Sequence, residues 1–165
     1  MVTTKNSNAE AVGSDPGLTV SRVLKAAPAA VWQAWAIPQY LEKWWTPSPV
    51  VTVSLKHEFY PGGGFGTLMR MEDGSEFEGE GCFLEVAENK RIVWTSALQS
   101  GWQPTKDPMP FTAIVTLEAH PEGTKYTATA LHQNKEDRQK HADMGFVEGW
   151  GICIEQLGTL AEQFK

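Results

Sequence analysis

An α+β domain, in which one curved antiparallel sheet wraps a long C-terminal helix, is the fold class the sequence predicts. Three observations lead there. The middle of the chain is a series of short strand-like runs separated by tight-turn signals. Only the segment from about residue 135 to 164 returns to a sustained helical period. Two short, proline-punctuated helical stretches follow the first strand. Strands joined in sequence by tight turns pair antiparallel, and such a sheet must cover its apolar face. The last helix alone has the length to do so, and about six to seven strands are expected around it.

The elements follow in order. Residues 1–16 are small and polar, end in "DPG", and read as a disordered tail; residues 17–165 form the domain. "LTVSRVLKA" (18–26) alternates as a first strand. In "APAAVWQAWAIPQYLEKWW" (27–45) the period changes: Pro28 suits a first helical turn, and Val31, Trp32 and Trp35 fall at helical spacing. Pro38 breaks this helix and opens a second, short one. "VVTVSLKHEF" (50–59) and "FGTLMRME" (65–72) flank the turn signal "PGGG"; "DGS" signals a hairpin into "EFEGEGCFLEVAE" (76–88). "RIVWTSAL" (91–98), a proline-rich loop "GWQPTKDPMP" (101–110), and the pair "FTAIVTLEAH" (111–120) and "GTKYTATALHQ" (123–133) complete the sheet.

The last helix keeps glycines where alanine would be about 1 kcal/mol better. On a helical wheel Val147, Trp150, Ile154, Leu157, Ala161 and Phe164 share one stripe. Gly151 and Gly158 lie at its edge, and Gly145 and Gly149 on another side near the helix start. Two readings follow: the glycines admit close packing, or they shape one wall of a cavity into which Trp150 projects. Either way the helix is held by packing rather than by propensity.

Composition excludes several classes. Hydrophobic residues make up 41% and charged residues 21%, as in ordinary globular proteins. The net charge of −6 and the lack of a Lys/Arg cluster argue against a nucleic-acid surface. No run approaches the ~18 apolar residues of a membrane span. Cys82 and Cys153 make no CxxC pair or disulfide framework, and the N-terminus has no secretory pattern, so a cytoplasmic location is expected. Seven tryptophans are unusual for this length and suit a ligand cavity.

The candidate cavity residues are Trp44, Trp45, Phe65, Met69, Phe77, Trp94, Met144 and Trp150. Trp44 and Trp45 close the short helices, and Phe65, Met69 and Phe77 are placed on the central hairpin by strand parity, which one bulge would reverse. A polar cluster, His132, Asp137, Arg138 and His141, gathers where the last strand enters the helix. Asp137, Arg138 and His141 share one helical turn. A histidine with a carboxylate partner is a candidate acid or base, but a capping and salt-bridge cluster is the favoured reading. Glu76, Glu78 and Glu80 share a strand face opposite Phe77 and Phe83 and are expected to face water, with Arg70 across the hairpin as a partner. The four histidines lack metal-site spacing, "PGGGFG" lacks the lysine and helix of a phosphate loop, and no GxSxG occurs. No catalytic residue, metal or cofactor is assigned.

With these residues in place, "VSRVLKAAPAAVWQAWAIPQYLEKWW", "FYPGGGFGTLMRMEDGSEFEGEGCFLEVAENKRIVWT" and "DRQKHADMGFVEGWGICIEQLGTLAEQF" resemble the START-like (SRPBCC) superfamily, with its helix-grip fold, and within it the branch named for the activator of the heat-shock protein 90 ATPase homologue. The resemblance spans residues 18–164. It implies a deep, mostly apolar cavity between sheet and last helix, with mouth-flanking short helices, but no single activity. The expected function is to bind or carry a small hydrophobic or amphipathic molecule, lipid-like or aromatic. A cofactor-independent enzyme, polyketide cyclase-like or hydrolase-like, is the alternative. A chaperone-interacting module is the second alternative, weakened because the chain is too short for the extra N-terminal domain of the eukaryotic activators. A homodimer is carried as a further arrangement. No nucleic-acid partner and no integral membrane segment are expected.

Overall fold

Turn chemistry and proline positions divide the chain as the local pattern requires. In the computed structural model, which describes residues 17–164, ten strands and four α-helices alternate. The expected tail, residues 1–16, lies outside the described residues. The strands are β1 Gly17–Leu24, β2 Val51–His57, β3 Phe65–Arg70, β4 Glu76–Gly79, β5 Cys82–Ala87, β6 Arg91–Thr95, β7 Leu98–Gln99, β8 Gln103–Pro104, β9 Phe111–His120 and β10 Gly123–His132. The helices are α1 Pro28–Ala36, α2 Pro38–Leu41, α3 Lys135–Asp143 and α4 Phe146–Ala161. Pro28 and Pro38 each sit in a first turn, where the missing N–H costs nothing. At the β3–β4 hairpin Gly74 takes φ 91°, and the Asp73 carboxylate accepts hydrogen bonds from the Ser75 N–H and hydroxyl at 2.9 and 2.6 Å.

The main sheet runs β1-β10-β9-β6-β5, all antiparallel, and a second runs β2-β3-β4. A bridge between Gly64 and Cys82 and the Phe65 N–H bond to the Gly81 carbonyl join them into one curved surface. The helix-grip architecture is therefore present, with more strands than expected. One reason is that the 76–88 run is two strands. At Gly81 a Cβ would stand 2.9 Å from the Thr95 carbonyl oxygen, so the backbone passes too close for a side chain and crosses from one sheet to the other. The other is the short β7–β8 ribbon, which pairs Leu98–Gln99 with Gln103–Pro104 at the start of the proline-rich loop.

The C-terminal helix differs from the single rod expected. It is two helices, broken at Met144–Gly145. Gly145 takes φ 93°, a left-handed conformation that ends α3 and serves as the N-cap of α4. The reason lies in composition: α3 ("KEDRQKHAD") buries only Asp137 and His141, whereas α4 carries the apolar stripe. Ile154, Leu157 and Ala161 of that stripe are buried, with Val147, Trp150 and Phe164 packed beside them.

The glycines of α4 divide between both readings. Gly158 and Gly151 admit β1: a Cβ on Gly158 would meet Leu24 Cδ2 at 2.9 Å, and one on Gly151 the Arg22 guanidinium at 2.6 Å. A Cβ on Gly149 would meet nothing within 4 Å, because that face fronts a hollow. Among the described residues no helix is long and apolar enough to cross a membrane.

Candidate ligand cavity

The hollow is a cavity of about 800 Å³ between the concave sheet face and α4. Its first wall is built by α1 and the segment after α2. Trp35 is buried, and its indole N–H donates to the Tyr126 hydroxyl at 2.9 Å; the Trp44 N–H donates to the Ala34 carbonyl at 3.0 Å. α4 fixes this segment from the other side: the Gln156 amide donates to the Trp44 and Thr46 carbonyls at 3.2 and 2.9 Å, and the Cys153 thiol to the Trp45 carbonyl at 3.3 Å. The rings then form a belt. Trp35–Trp45, Trp45–Trp94 and Trp94–Phe111 centroids are 5.5, 5.6 and 5.4 Å apart, and Trp45–Phe65 5.0 Å, mostly edge-on or tilted. Such pairs add about 0.5–1.5 kcal/mol each beyond the area they bury, so the wall is stiff without needing a ligand to fill it.

The floor follows from strand parity. On β10 the residues Thr124, Tyr126, Ala128, Ala130 and His132 alternate inward and are buried. Two alanines between a tyrosine and a histidine leave the middle low. Beyond them His132 Nε2 and His141 Nδ1 lie 2.8 Å apart. His141 packs against Phe111 and Phe146, with centroids at 4.9 and 5.1 Å, and it lines the cavity. Burial holds the His141 imidazole down at about 4, with His132 acting in the same direction, so the ring is neutral at pH 7. Burial also pushes the Cys153 thiol up to about 12 and the Tyr126 phenol above its ordinary range. Each polar group inside is thus an uncharged hydrogen-bonding group.

Of the residues expected to line a cavity, Trp44, Trp45, Phe65, Met69, Trp94 and Trp150 do so. Met144 lines it only at the mouth: at the break between α3 and α4 it is 72% exposed. Phe77 is a correction. It stands opposite Met69 and shares its sheet face, but β4 is the outer strand of the smaller sheet and extends past the helix cover. Phe77 is 54% exposed and outside the cavity wall. Glu76, Glu78 and Glu80 are exposed as expected, Glu76 accepts a 2.8 Å bond from Arg70, and Glu78 and Glu80 stand at the mouth.

The junction cluster divides. Asp137 accepts from the Gln133 amide at 2.8 Å, and the Arg138 guanidinium donates to the Gly17 carbonyl at 2.8 Å, tying α3 to the start of β1. The cap of α3 is Asn134, which accepts from the Asp137 N–H at 2.8 Å. The expected salt bridge between Asp137 and Arg138 or His141 does not form among the described residues, and His141 bonds to His132. Among the cavity residues that the sequence reading did not single out are Tyr126, Phe146, Cys153 and Thr67. The parity of β10 carried the signal for Tyr126, since it shares the buried phase with Ala128, Ala130 and His132. Among the described residues no three His, Cys, Asp or Glu side chains converge as a metal site would require.

A curved antiparallel sheet gripping a C-terminal helix over an aromatic-lined cavity defines a ligand-binding fold. The chain belongs to the family described as activator of Hsp90 ATPase homolog 1-like protein, whose model matches residues 25–162. Among solved structures it is similar to protein NE0264 from Nitrosomonas europaea, with 37% identity and a TM-score of 0.87, covering 92% of this chain and 97% of that one. It is similar also to protein Ms6760 from Mycobacterium smegmatis, with 26% identity and a TM-score of 0.79, over 93% and 95% of the two chains. A protein from Arthrobacter aurescens, at 24% identity and a TM-score of 0.82 over 96% of this chain and 93% of that one, shares the fold. No curated protein matches the sequence.

Proposed function

We propose that this protein binds and carries one small hydrophobic or amphipathic molecule in the cavity between the sheet and α4. The observation that carries the reading is the cavity itself: about 800 Å³, walled by Trp35, Trp44, Trp45, Phe65, Trp94 and Trp150, with a few polar tips. That volume is within the ~300–1,000 Å³ typical of small-molecule sites, which are apolar with a few oriented polar groups. The belt of rings supports a preformed site, which spares the cost of ordering side chains on binding.

The state of the polar groups favours carriage over chemistry. A general acid or base works best with a pKa near the working pH. His141 is held at about 4 and Cys153 at about 12, both far from neutrality, and neither is hydrogen-bonded to a carboxylate. The family's description refers to activation of a chaperone ATPase; the cavity supports small-molecule binding instead. Both thiols are free, Cys82 buried and Cys153 half-buried, which accords with a reducing, cytoplasmic setting.

Native mass spectrometry of the protein purified mildly from its own host tests this reading. One retained small molecule per chain, lost when Trp150 is replaced by alanine, is the expected result. A bare mass only, together with no thermal shift from any apolar fraction of a host extract, would overturn it.

A further inference from the structure

Charge is distributed unevenly around the cavity. Inside, the polar side chains are hydroxyls, a thiol and an imidazole, among them Thr46, Thr67, Ser96, Tyr126, Cys153 and His141. The lining holds one ammonium, Lys106, which is exposed on the loop at the mouth. Three carboxylates, Glu78, Glu80 and Asp107, line the same mouth and outnumber it. The whole chain adds a net charge of −6.

The inner polar groups also have defined capacity. The Trp35 indole can only donate, so in the 2.9 Å bond the Tyr126 oxygen accepts. The phenol's own proton has no protein acceptor among the described residues, and Tyr126 lines the cavity at 2% exposure. At the other end, His141 Nδ1 is bound to His132, and Nε2 is neither buried without a partner nor bonded to a described residue, so it opens on the cavity. If His132 donates across the 2.8 Å bond, His141 presents an N–H to the cavity; if His141 donates, it presents a bare nitrogen. When both rings change tautomer together, each losing a proton from one nitrogen and gaining one at the other, the open end changes from donor to acceptor. Tyr126 and His132 are six residues apart on one strand face, roughly 20 Å at the usual rise.

We infer that the cavity selects uncharged ligands, those ending in a hydroxyl, carbonyl or amide, and rejects carboxylates that carry the same apolar body. A carboxylate entering between these rings leaves water and meets no cation, which is the unfavourable case for a buried charge. It also passes the acidic mouth, where like charge slows entry. A hydroxyl or amide both donates and accepts, as the histidine pair can, and a carbonyl can accept from Tyr126. Neutral His141 supports the same conclusion. This inference rests on the carrier reading and deepens it, because it separates neutral ligands from free fatty and aromatic acids.

Three compounds that share a tail test it: 4-hexylphenol, 4-hexylbenzamide and 4-hexylbenzoate, each displacing the neutral dye N-phenyl-1-naphthylamine at pH 7.5. The phenol and amide should bind at least about tenfold more tightly than the benzoate, as an unpaired buried charge requires. His141→Lys should narrow or invert that ratio by supplying a counter-charge, whereas His141→Gln should keep it. The paired change Glu78→Gln and Glu80→Gln, at exposed positions on β4 and just after it that do not put folding at risk, should move the ratio about two- to threefold toward the benzoate. Benzoate binding as tightly as the amide, with saturation by all three, overturns charge selection and leaves the carrier reading intact. Saturable binding by no compound, the dye included, overturns both.

Discussion

His141 is the residue at which sequence, burial and chemistry meet most closely. It comes from a polar helix, yet it is buried against Phe111, Phe146 and the partner imidazole of His132. Its pKa is held near 4 in the folded protein against 6.5 for the ordinary side chain. Above pH 6.5 both folded and unfolded chains are neutral there. As pH falls from 6.5 toward 4 the unfolded chain binds the proton first, so stability falls through that window and levels off below it. His57, also lowered by burial, acts in the same direction. Denaturant unfolding of the wild type should therefore lose more stability between pH 7.5 and 5 than that of His141→Gln, by about 1–2 kcal/mol once screening by cavity water is allowed for. Equal losses in the two proteins would show that His141 is solvated. At this scale sequence was a partial guide. The helical spacing of Asp137, Arg138 and His141 was visible, but not that the first two would turn to Gln133 and Gly17 while the histidines paired. Phe77 misled although its parity was right: it shares the face of Met69, but β4 is an edge strand beyond the helix cover.

At the scale of the element, α4 shows why a helix can keep three glycines and a fourth at its N-cap. Gly158 gives way to Leu24 of β1, Gly151 to the end of Arg22, Gly149 fronts the cavity, and Gly145 turns the chain between two helices. Their substitution costs should differ accordingly. Gly149→Ala meets no neighbour and gains helix propensity, so it should raise stability by about 0.5–1 kcal/mol. Gly158→Ala presses on a buried leucine and should lower stability by about 1–2 kcal/mol, the overpacking cost outweighing propensity. Gly151→Ala should fall between them, because the guanidinium can withdraw toward solvent at the loss of its 3.4 Å contact with Glu155. Urea denaturation of the three variants checks the order; a destabilised Gly149→Ala would mean that this face is packed. The apolar stripe and its flanking glycines were legible because a period near 3.6 persists through them. The break at Gly145 was not, since a single left-handed residue leaves that spacing almost intact on either side.

For the whole molecule, the order of strand, two short helices, strands and C-terminal helix was legible from turn signals and prolines, and the family match agrees with it. The cavity was legible only in outline. Which rings face inward depends on how two sheets join at Gly64–Cys82 and on where the helix cover ends, and both are set by contacts between segments far apart in sequence. The central claim, that the space between sheet and α4 is a preformed site for one small apolar molecule, is tested most directly by titrating N-phenyl-1-naphthylamine into the wild type and Gly149→Leu while following tryptophan emission and thermal stability. The wild type should saturate at one dye per chain with its tryptophans quenched. Gly149→Leu, whose side chain enters the hollow, should bind at least about tenfold more weakly, since a well-packed wall leaves the dye no volume, while melting no lower than the wild type. No saturable binding by the wild type, or equal binding by a Gly149→Leu protein that melts normally, would contradict the claim.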